Sequence, residues 1–173
     1  MFNATADIKS IIETGVNACI GTDSPMSGGE NLLREIQVGR DYYRKHYGEV
    51  LPAKQVLRMV TENPARAFRL YENGRLAEDM LADLVVFNNS YDDPYESVAN
   101  AELEDVRLVV INGLPVYGYA DLLPELKGFD IRYQIVKLAG IDRFIIGDLL
   151  GVLKRIDKAV GFRKKFPFMP VEY

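Results

Sequence analysis

The stretch that decides the fold is Gly15-Val16-Asn17-Ala18-Cys19-Ile20-Gly21-Thr22-Asp23-Ser24. Ahead of it, residues 5–14 carry isoleucines on one helical face, and Gly15 stands where a helix commonly ends with a left-handed residue. The small and apolar residues 16–21 are typical of a strand that is buried on both faces of a parallel sheet. In α/β folds the polar residues just past such a strand lie where ligands bind, which directs attention to Asp23.

Three helices are predicted after this loop. Residues 30–47 carry apolar side chains at helical spacing on one face (Leu32, Ile36, Tyr43 and Tyr47) and charged ones elsewhere (Arg34, Glu35, Arg40 and Arg44). Pro52 can open the second helix. Asn63-Pro64 is typical of the N-cap and first position of a third helix, over residues 65–70.

From residue 73 to residue 119 the pattern predicts a small antiparallel β unit. Asn112-Gly113 lies between extended runs and is a strong hairpin signal, because both residues of such a turn need a positive φ. Pro115 predicts that the strand after the turn lies at a sheet edge, since proline cannot donate to a strand ladder. Apolar residues recur on one helical face from Ile146 to Val160. Residues 120–173 are therefore expected to form a helical extension.

Composition limits the classes of function. The net charge of −4 and the pI near 5.1 argue against a nucleic-acid partner, and the chain has no apolar run of membrane-spanning length. Cys19 is the single cysteine, which excludes an internal disulfide framework and predicts a cytoplasmic protein with an inert, buried thiol. His46 is the single histidine and is expected at the surface end of a helix. One histidine and one cysteine do not complete a hydrolytic zinc site.

Three patterns, in this order, resemble the amidohydrolase superfamily and its cytosine-deaminase and chlorohydrolase-like branch. The first is the opening stretch, residues 15–24, and the second is Val60-Thr61-Glu62-Asn63-Pro64-Ala65-Arg66-Ala67. The third is Leu81-Ala82-Asp83-Leu84-Val85-Val86-Phe87, with Val110-Ile111-Asn112-Gly113 after it. Each pattern alone is weak, but their order and spacing over residues 4–118 are fairly specific.

The resemblance implies an α/β fold present here as a C-terminal fragment. Residues 1–72 would hold the last strand and helices of a (β/α)8 barrel, with residues 15–21 as the eighth strand. Residues 73–119 would be the C-terminal part of a β-sandwich, and residues 120–173 a helical C-terminal extension.

The activity implied by the resemblance is metal-dependent hydrolysis of non-peptide carbon–nitrogen bonds, as in deaminases. Asp23 would be both a metal ligand and the catalytic carboxylate, which carries a proton from the attacking water to the leaving nitrogen. Ser24, Gly28 and Gly29, together with Pro25, would contact a small polar substrate. The cofactor of the intact enzyme would be a divalent metal, zinc or iron.

Several alternatives stay open at this point. The histidines that bind metal in the family, including its His-X-His pair, are expected ahead of Met1, so this chain alone is expected to bind no metal and to be inactive. A truncated gene product and an independent small protein both fit. The Gly28-Gly29 pair either closes over substrate or leads into a helix, and the basic, aromatic tail 162–168 either docks on the body or binds a membrane surface or an acidic partner.

A second functional hypothesis is a non-catalytic association module. In either case we expect a homo-oligomer, or a partner chain that supplies the missing part of the barrel.

Overall fold

The computed structural model describes residues 5–24, 26–129, 131–166 and 168–172. These residues divide into two units. The helical unit comprises the described residues up to Met80 together with Asn89–Asn100, and the sheet unit comprises Leu81–Asn88 and the described residues from Ala101 onward. The chain thus mixes helices with an antiparallel sheet, whereas the barrel and the sandwich stay predictions.

Five α-helices build the helical unit. They are α1 (Ile8–Glu13), α2 (Leu32–Tyr47), α3 (Ala53–Val60), α4 (Glu62–Phe68) and α5 (Pro94–Ala99). The long helix predicted after the loop is confirmed as α2, which begins at the N-cap Asn31 and ends at Gly48 in the left-handed conformation.

The core of the helical unit lies between α2, α3 and α5. Its buried side chains are Ile36, Tyr43, Leu51, Ala53, Val56, Met59 and Ala99. Arg40 was expected outside the apolar face of α2, but it is only 6% exposed. Its guanidinium donates to both carboxylate oxygens of Glu96 on α5, each at 2.8 Å, and to the Leu51 carbonyl at 3.2 Å. These three acceptors compensate the cost of burying the cation.

The predicted barrel strand, residues 16–21, is not a strand in this structure. Among the described residues, the segment has no strand ladder. Its apolar pattern predicts parallel neighbours, whereas every strand pairing in the described residues is antiparallel and joins two strands of the sheet unit. Ala18 and Ile20 instead pack against the helical core. The apolar pattern of the segment thus serves packing without strand pairing.

The sheet unit is built on six antiparallel strands. They are β1 (Leu84–Phe87), β2 (Val106–Ile111), β3 (Leu114–Tyr119), β4 (Tyr133–Leu138), β5 (Ile141–Ile146) and β6 (Val171–Glu172), in the order β1-β2-β3-β5-β4-β6. Short 3₁₀ helices, Leu103–Asp105 and Ala120–Leu126, connect them, and α6 (Leu149–Val160) follows β5.

The Asn112-Gly113 hairpin is confirmed between β2 and β3. Its two turn residues have φ values of 50° and 77°, as the turn requires. The edge position predicted from Pro115 is wrong, because β3 lies between β2 and β5. Proline is tolerated there because the pairing of β3 with β5 starts only at Tyr117, and the pairing with β2 shifts register beside Pro115.

The extension over residues 120–173 is not helical throughout. The predicted helix is present as α6, but β4 and β5 form a hairpin ahead of it and extend the sheet from β3. Val136 and Leu138 of β4 are buried, whereas Ile135 and Lys137 are exposed, as in a strand with one face against a core. The predicted limit between residues 119 and 120 therefore falls inside one continuous sheet.

In the described part of the chain, no helix combines the length and the hydropathy needed to span a membrane.

Candidate active-site loop

Asp23 lies on an exposed loop directly after segment 16–22, which has no regular secondary structure. Its φ of 52° places it in the left-handed region, which non-glycine residues adopt rarely and aspartate more readily than most. The left-handed conformation turns the chain at Asp23, the residue that the sequence analysis identifies as the candidate catalytic carboxylate. Asp23 thus directly follows a partly exposed apolar segment, and no strand ladder forms there.

The carboxylate of Asp23 is held by a serine that sequence reasoning missed. The Ser27 hydroxyl donates to Asp23 Oδ2, and Ser27 Oγ lies 2.9 Å from the hydroxyl of Ser24. The Ser24 carbonyl accepts backbone hydrogen bonds from Ser27 at 3.1 Å and Gly28 at 2.8 Å. In the sequence, the signal for this contact was the position of Ser27 four residues after Asp23, a spacing that one tight turn can bridge. Pro25 lies outside the described residues.

Gly28 and Gly29 close the loop against α2. A Cβ added at Gly28 would overlap the carbonyl oxygen of Thr22, so only glycine fits this close approach of two backbone segments. The Gly29 N–H donates to the carboxylate of Glu35 in the first turn of α2. Of the two alternatives for this pair, the structure shows the lead into a helix. Contact of Ser24, Gly28 and Gly29 with a substrate stays a prediction.

Two asparagines fix the extended segment ahead of Asp23. The Asn17 side chain donates to the Asn63 carbonyl at 2.9 Å, and the Asn63 side chain donates to the Ala18 carbonyl at 2.7 Å. The Ile20 N–H also donates to the Met59 carbonyl at 3.0 Å. Asn63 was predicted as a helix cap, but α4 begins at Glu62 with Thr61 as its N-cap. The asparagine thus holds the segment that carries Asp23.

The predictions for Cys19 and His46 have different outcomes. The prediction that Cys19 is buried is wrong, because Cys19 is exposed. The prediction for His46 is confirmed, since it is exposed in the last turn of α2, where it stacks on Tyr42 with ring centroids 5.2 Å apart.

The residues around Asp23 do not make up a metal site by themselves. Within the described ranges, no three or more histidine, cysteine, aspartate or glutamate side chains are grouped so that they could hold a metal ion. Asp23 has a carboxylate that could supply one oxygen ligand, but a closed or catalytic zinc site needs at least three protein ligands. The absence of bound metal from the isolated chain stays a prediction.

Comparison with known proteins assigns the chain to a family. The model of the amidohydrolase family matches residues 3–116. A 5-methylthioadenosine/S-adenosylhomocysteine deaminase of Halalkalibacterium halodurans is 30% identical over 138 residues, which are 72% of this chain and 30% of that enzyme. A second enzyme of that name, from Caldicellulosiruptor saccharolyticus, is 38% identical over 87 residues, or 49% of this chain and 20% of the relative.

A 5′-deoxyadenosine deaminase of Methanosarcina barkeri is 33% identical over 118 residues, which cover 62% of this chain and 27% of the relative. The chain thus spans less than a third of the length of these curated relatives. No solved structure gives a significant match. Since the family model covers most of the chain, including the Asp23 loop and the hairpin, this protein belongs to the amidohydrolase family.

Proposed function

We propose that this chain is the C-terminal part of a metal-dependent deaminase, with Asp23 as its proton-transferring carboxylate. The observation that supports the proposal is the exposed Asp23 side chain, oriented by Ser27 at the end of a segment fixed to α3 and α4. The family match includes this loop.

The substrate proposed is an adenine nucleoside altered at its 5′ position, because the relatives' names give 5-methylthioadenosine, S-adenosylhomocysteine and 5′-deoxyadenosine. Deamination adds water to the ring carbon that bears the amino group, breaks the carbon–nitrogen bond and releases ammonia. Asp23 takes the proton from the attacking water and returns it to the leaving nitrogen. The Ser24 hydroxyl and the backbone of Gly28 and Gly29 would contact the nucleoside beside it.

In this proposal a divalent metal, zinc or iron, supplies the activation of water when it is bound. Asp23 could provide one of its ligands, and the others would come from protein outside the described residues. A partner chain that carries the missing part of the barrel would therefore complete the site, in the cytoplasm.

The test is the exchange Asp23→Asn in a preparation that contains this chain and releases ammonia from 5′-deoxyadenosine. Loss of a general base commonly costs about 10²- to 10⁴-fold in rate, so we expect turnover to fall at least about a hundredfold with the fold unchanged. The matched control is Asp41→Asn, which removes an exposed carboxylate of α2 that contacts Arg44 at 3.7 Å. Equal turnover in the two variants would remove Asp23 from the mechanism.

The alternative is a non-catalytic association module. It is favoured by Val16 of segment 16–22 and Leu32 at the start of α2, whose apolar side chains are 60% and 37% exposed. Elemental analysis of the purified chain tests the association module. A stoichiometric zinc or iron content would contradict the module, and it would also contradict the expectation that this chain alone binds no metal.

A further inference from the structure

Large apolar side chains are exposed on the segment that follows α4 in the helical unit. Leu70, Tyr71 and Leu76 are 52%, 74% and 79% exposed. Phe68, the last residue of α4, is 76% exposed. Single apolar side chains at a surface need no partner, but a group of large ones so close in the chain is typical of a surface that contacts protein. Residues 69–78 are called the α4 turn below.

The α4 turn is fixed to α4 by its own backbone. Arg69 ends the helix in the left-handed conformation, and the Leu70 N–H donates to the Ala65 carbonyl at 2.8 Å. The Asn73 N–H donates to the Leu70 carbonyl at 3.1 Å. At Gly74, whose φ is 87°, an added Cβ would lie only 2.8 Å from the Cβ of Ala65. The centre of the turn is therefore anchored and half-buried, and the exposed side chains on both sides of it are displayed by an ordered backbone.

The charges of the α4 turn have opposite signs on the two sides of its centre, Asn73-Gly74. Glu72 before the centre corresponds to Arg75 after it, and Arg69 corresponds to Glu78 in the same way. All four charged side chains are exposed, and among the described residues none of them forms an ion pair or a side-chain hydrogen bond. Two copies that meet in opposite directions about this centre would place each cation opposite a carboxylate.

The apolar side chains of the α4 turn follow the same order. Tyr71 of one copy would lie opposite Leu76 of the other, and Leu70 would lie opposite Ala77. A surface that complements itself in this way is what a two-fold contact between identical chains requires. A foreign acidic or basic surface would match only half of these charges and would oppose the other half.

We propose that the α4 turn is a two-fold contact between two copies of this chain. Tyr71 and Leu76 form its apolar centre, and Arg69–Glu78 and Glu72–Arg75 form ion pairs between the copies. The turn is shorter than the roughly 20 to 30 residues a side of a standard interface, so we expect a weak dimer with a Kd of about 1 to 100 µM. This association is independent of the deaminase chemistry proposed for the Asp23 loop.

The experiment is sedimentation velocity of the whole chain over a concentration series that spans this Kd. Every chain also carries Val16→Lys and Leu32→Lys, so that those exposed apolar side chains do not contribute, and this parent should dimerise. One variant adds Arg69→Glu and Arg75→Glu, which leaves only carboxylates on the α4 turn. The other adds Glu72→Arg and Glu78→Arg, which leaves only cations.

Each charge variant alone should have a Kd at least about tenfold above that of the parent, because like charges then face each other. An equimolar mixture of the two should form a mixed dimer and recover a Kd within about threefold of the parent, since opposite charges face each other again. A misfolded variant could not recover in this way. Tyr71→Ser with Leu76→Ser should also weaken the dimer, and mixing with either charge variant should not restore it.

The matched control is Lys45→Glu with Arg132→Glu, which changes the net charge by the same amount at two exposed positions outside the α4 turn. It should dimerise as tightly as the parent. The proposal is overturned if the parent stays monomeric, or if the control loses as much affinity as the charge variants. It is also overturned if the mixture binds no more tightly than the separate variants, because the α4 turns of two copies would then not face each other.

Discussion

The extended segment 16–22 and the β2–β3 hairpin are held in place by different kinds of interaction. In the hairpin, consecutive residues pair with residues only a few positions away, and β1 and β5 continue the ladder on both sides. In segment 16–22, side-chain amides of Asn17 and Asn63 and one backbone bond to Met59 replace a ladder. The strands of the sheet unit are thus joined to one another by backbone ladders, whereas the segment that precedes Asp23 in the helical unit keeps an exposed side.

The largest effect expected from this difference is association of the chain. Exposed apolar side chains such as Val16 of segment 16–22 and Leu32 of α2 each forgo up to about 1.5 to 3 kcal/mol of burial, and such losses are a sizeable part of a domain's stability. Ile36 on the apolar face of α2 is buried within the chain and does not add to this exposed surface. We therefore expect light scattering to give a mass above that of a monomer, increasing with concentration.

The double exchange Val16→Lys and Leu32→Lys should lower that mass toward the monomer. As a control, Val152→Lys places the same charge at an exposed position of α6 in the sheet unit. A wild-type chain that stays monomeric over the whole concentration series and unfolds in one cooperative transition would contradict this prediction and the truncated-barrel interpretation.

The next effect concerns the core of the sheet unit. Phe144 is fully buried on β5, where its ring meets Tyr133 edge to face with centroids 4.9 Å apart, and Gly118 leaves room for it. Phe144→Ala should reduce the free energy of unfolding by about 3 to 5 kcal/mol in urea denaturation, because it leaves a cavity between the strands. Ile135, which is paired with Phe144 from β4 but is half exposed, is the control, and Ile135→Ala should cost much less.

A smaller, pH-dependent effect is expected in the helical unit. The hydrogen bonds from Arg40 are the main cause that lowers the pKa of Glu96, with burial acting in the opposite direction. A carboxyl whose pKa is lowered by folding stabilises the protein above its unfolded pKa of about 4.3, and the contribution is lost as the pH falls through the folded pKa. Glu96→Gln should therefore cost roughly 1.5 to 3 kcal/mol at pH 7, the range of hydrogen bonds to charged groups, and less at pH 3.

The control for Glu96 is Glu62→Gln, which removes an exposed pair with Arg58 at 3.2 Å. Such pairs contribute about 0 to 1 kcal/mol. A cost for Glu96→Gln that does not change between pH 7 and pH 3 would show that the ionised pair does not stabilise the helical unit.

The smallest effect tests the asparagine contacts of segment 16–22 directly. Asn63→Ala removes the hydrogen bond to the Ala18 carbonyl and should cost about 1 kcal/mol of stability. Hydrogen exchange should become faster at the Ile20 amide, which donates to Met59, and stay unchanged at Val109 in β2. Equal exchange at Ile20 in the variant and the wild type would show that the asparagines do not hold the segment.

Local patterns of the sequence were enough for much of this molecule. The helix α2, the hairpin at Asn112-Gly113 and the surface position of His46 follow from apolar spacing, turn chemistry and helix-end preference, which act over a few residues. The sequence also singled out Asp23, and the family match over residues 3–116 agrees with the resemblance on which that choice rested.

Only the tertiary structure decided the features that depend on partners distant in the sequence. The apolar run 16–21 has the composition of a buried strand, but a strand exists only where another strand accepts its hydrogen bonds. The burial of Arg40 depended on Glu96, 56 residues away, and the central position of Pro115 depended on where pairing with β5 starts. Sequence by itself therefore determined the local conformations and the candidate carboxylate. The three-dimensional packing determined which segments found partners, because those partners lie tens of residues away along the chain.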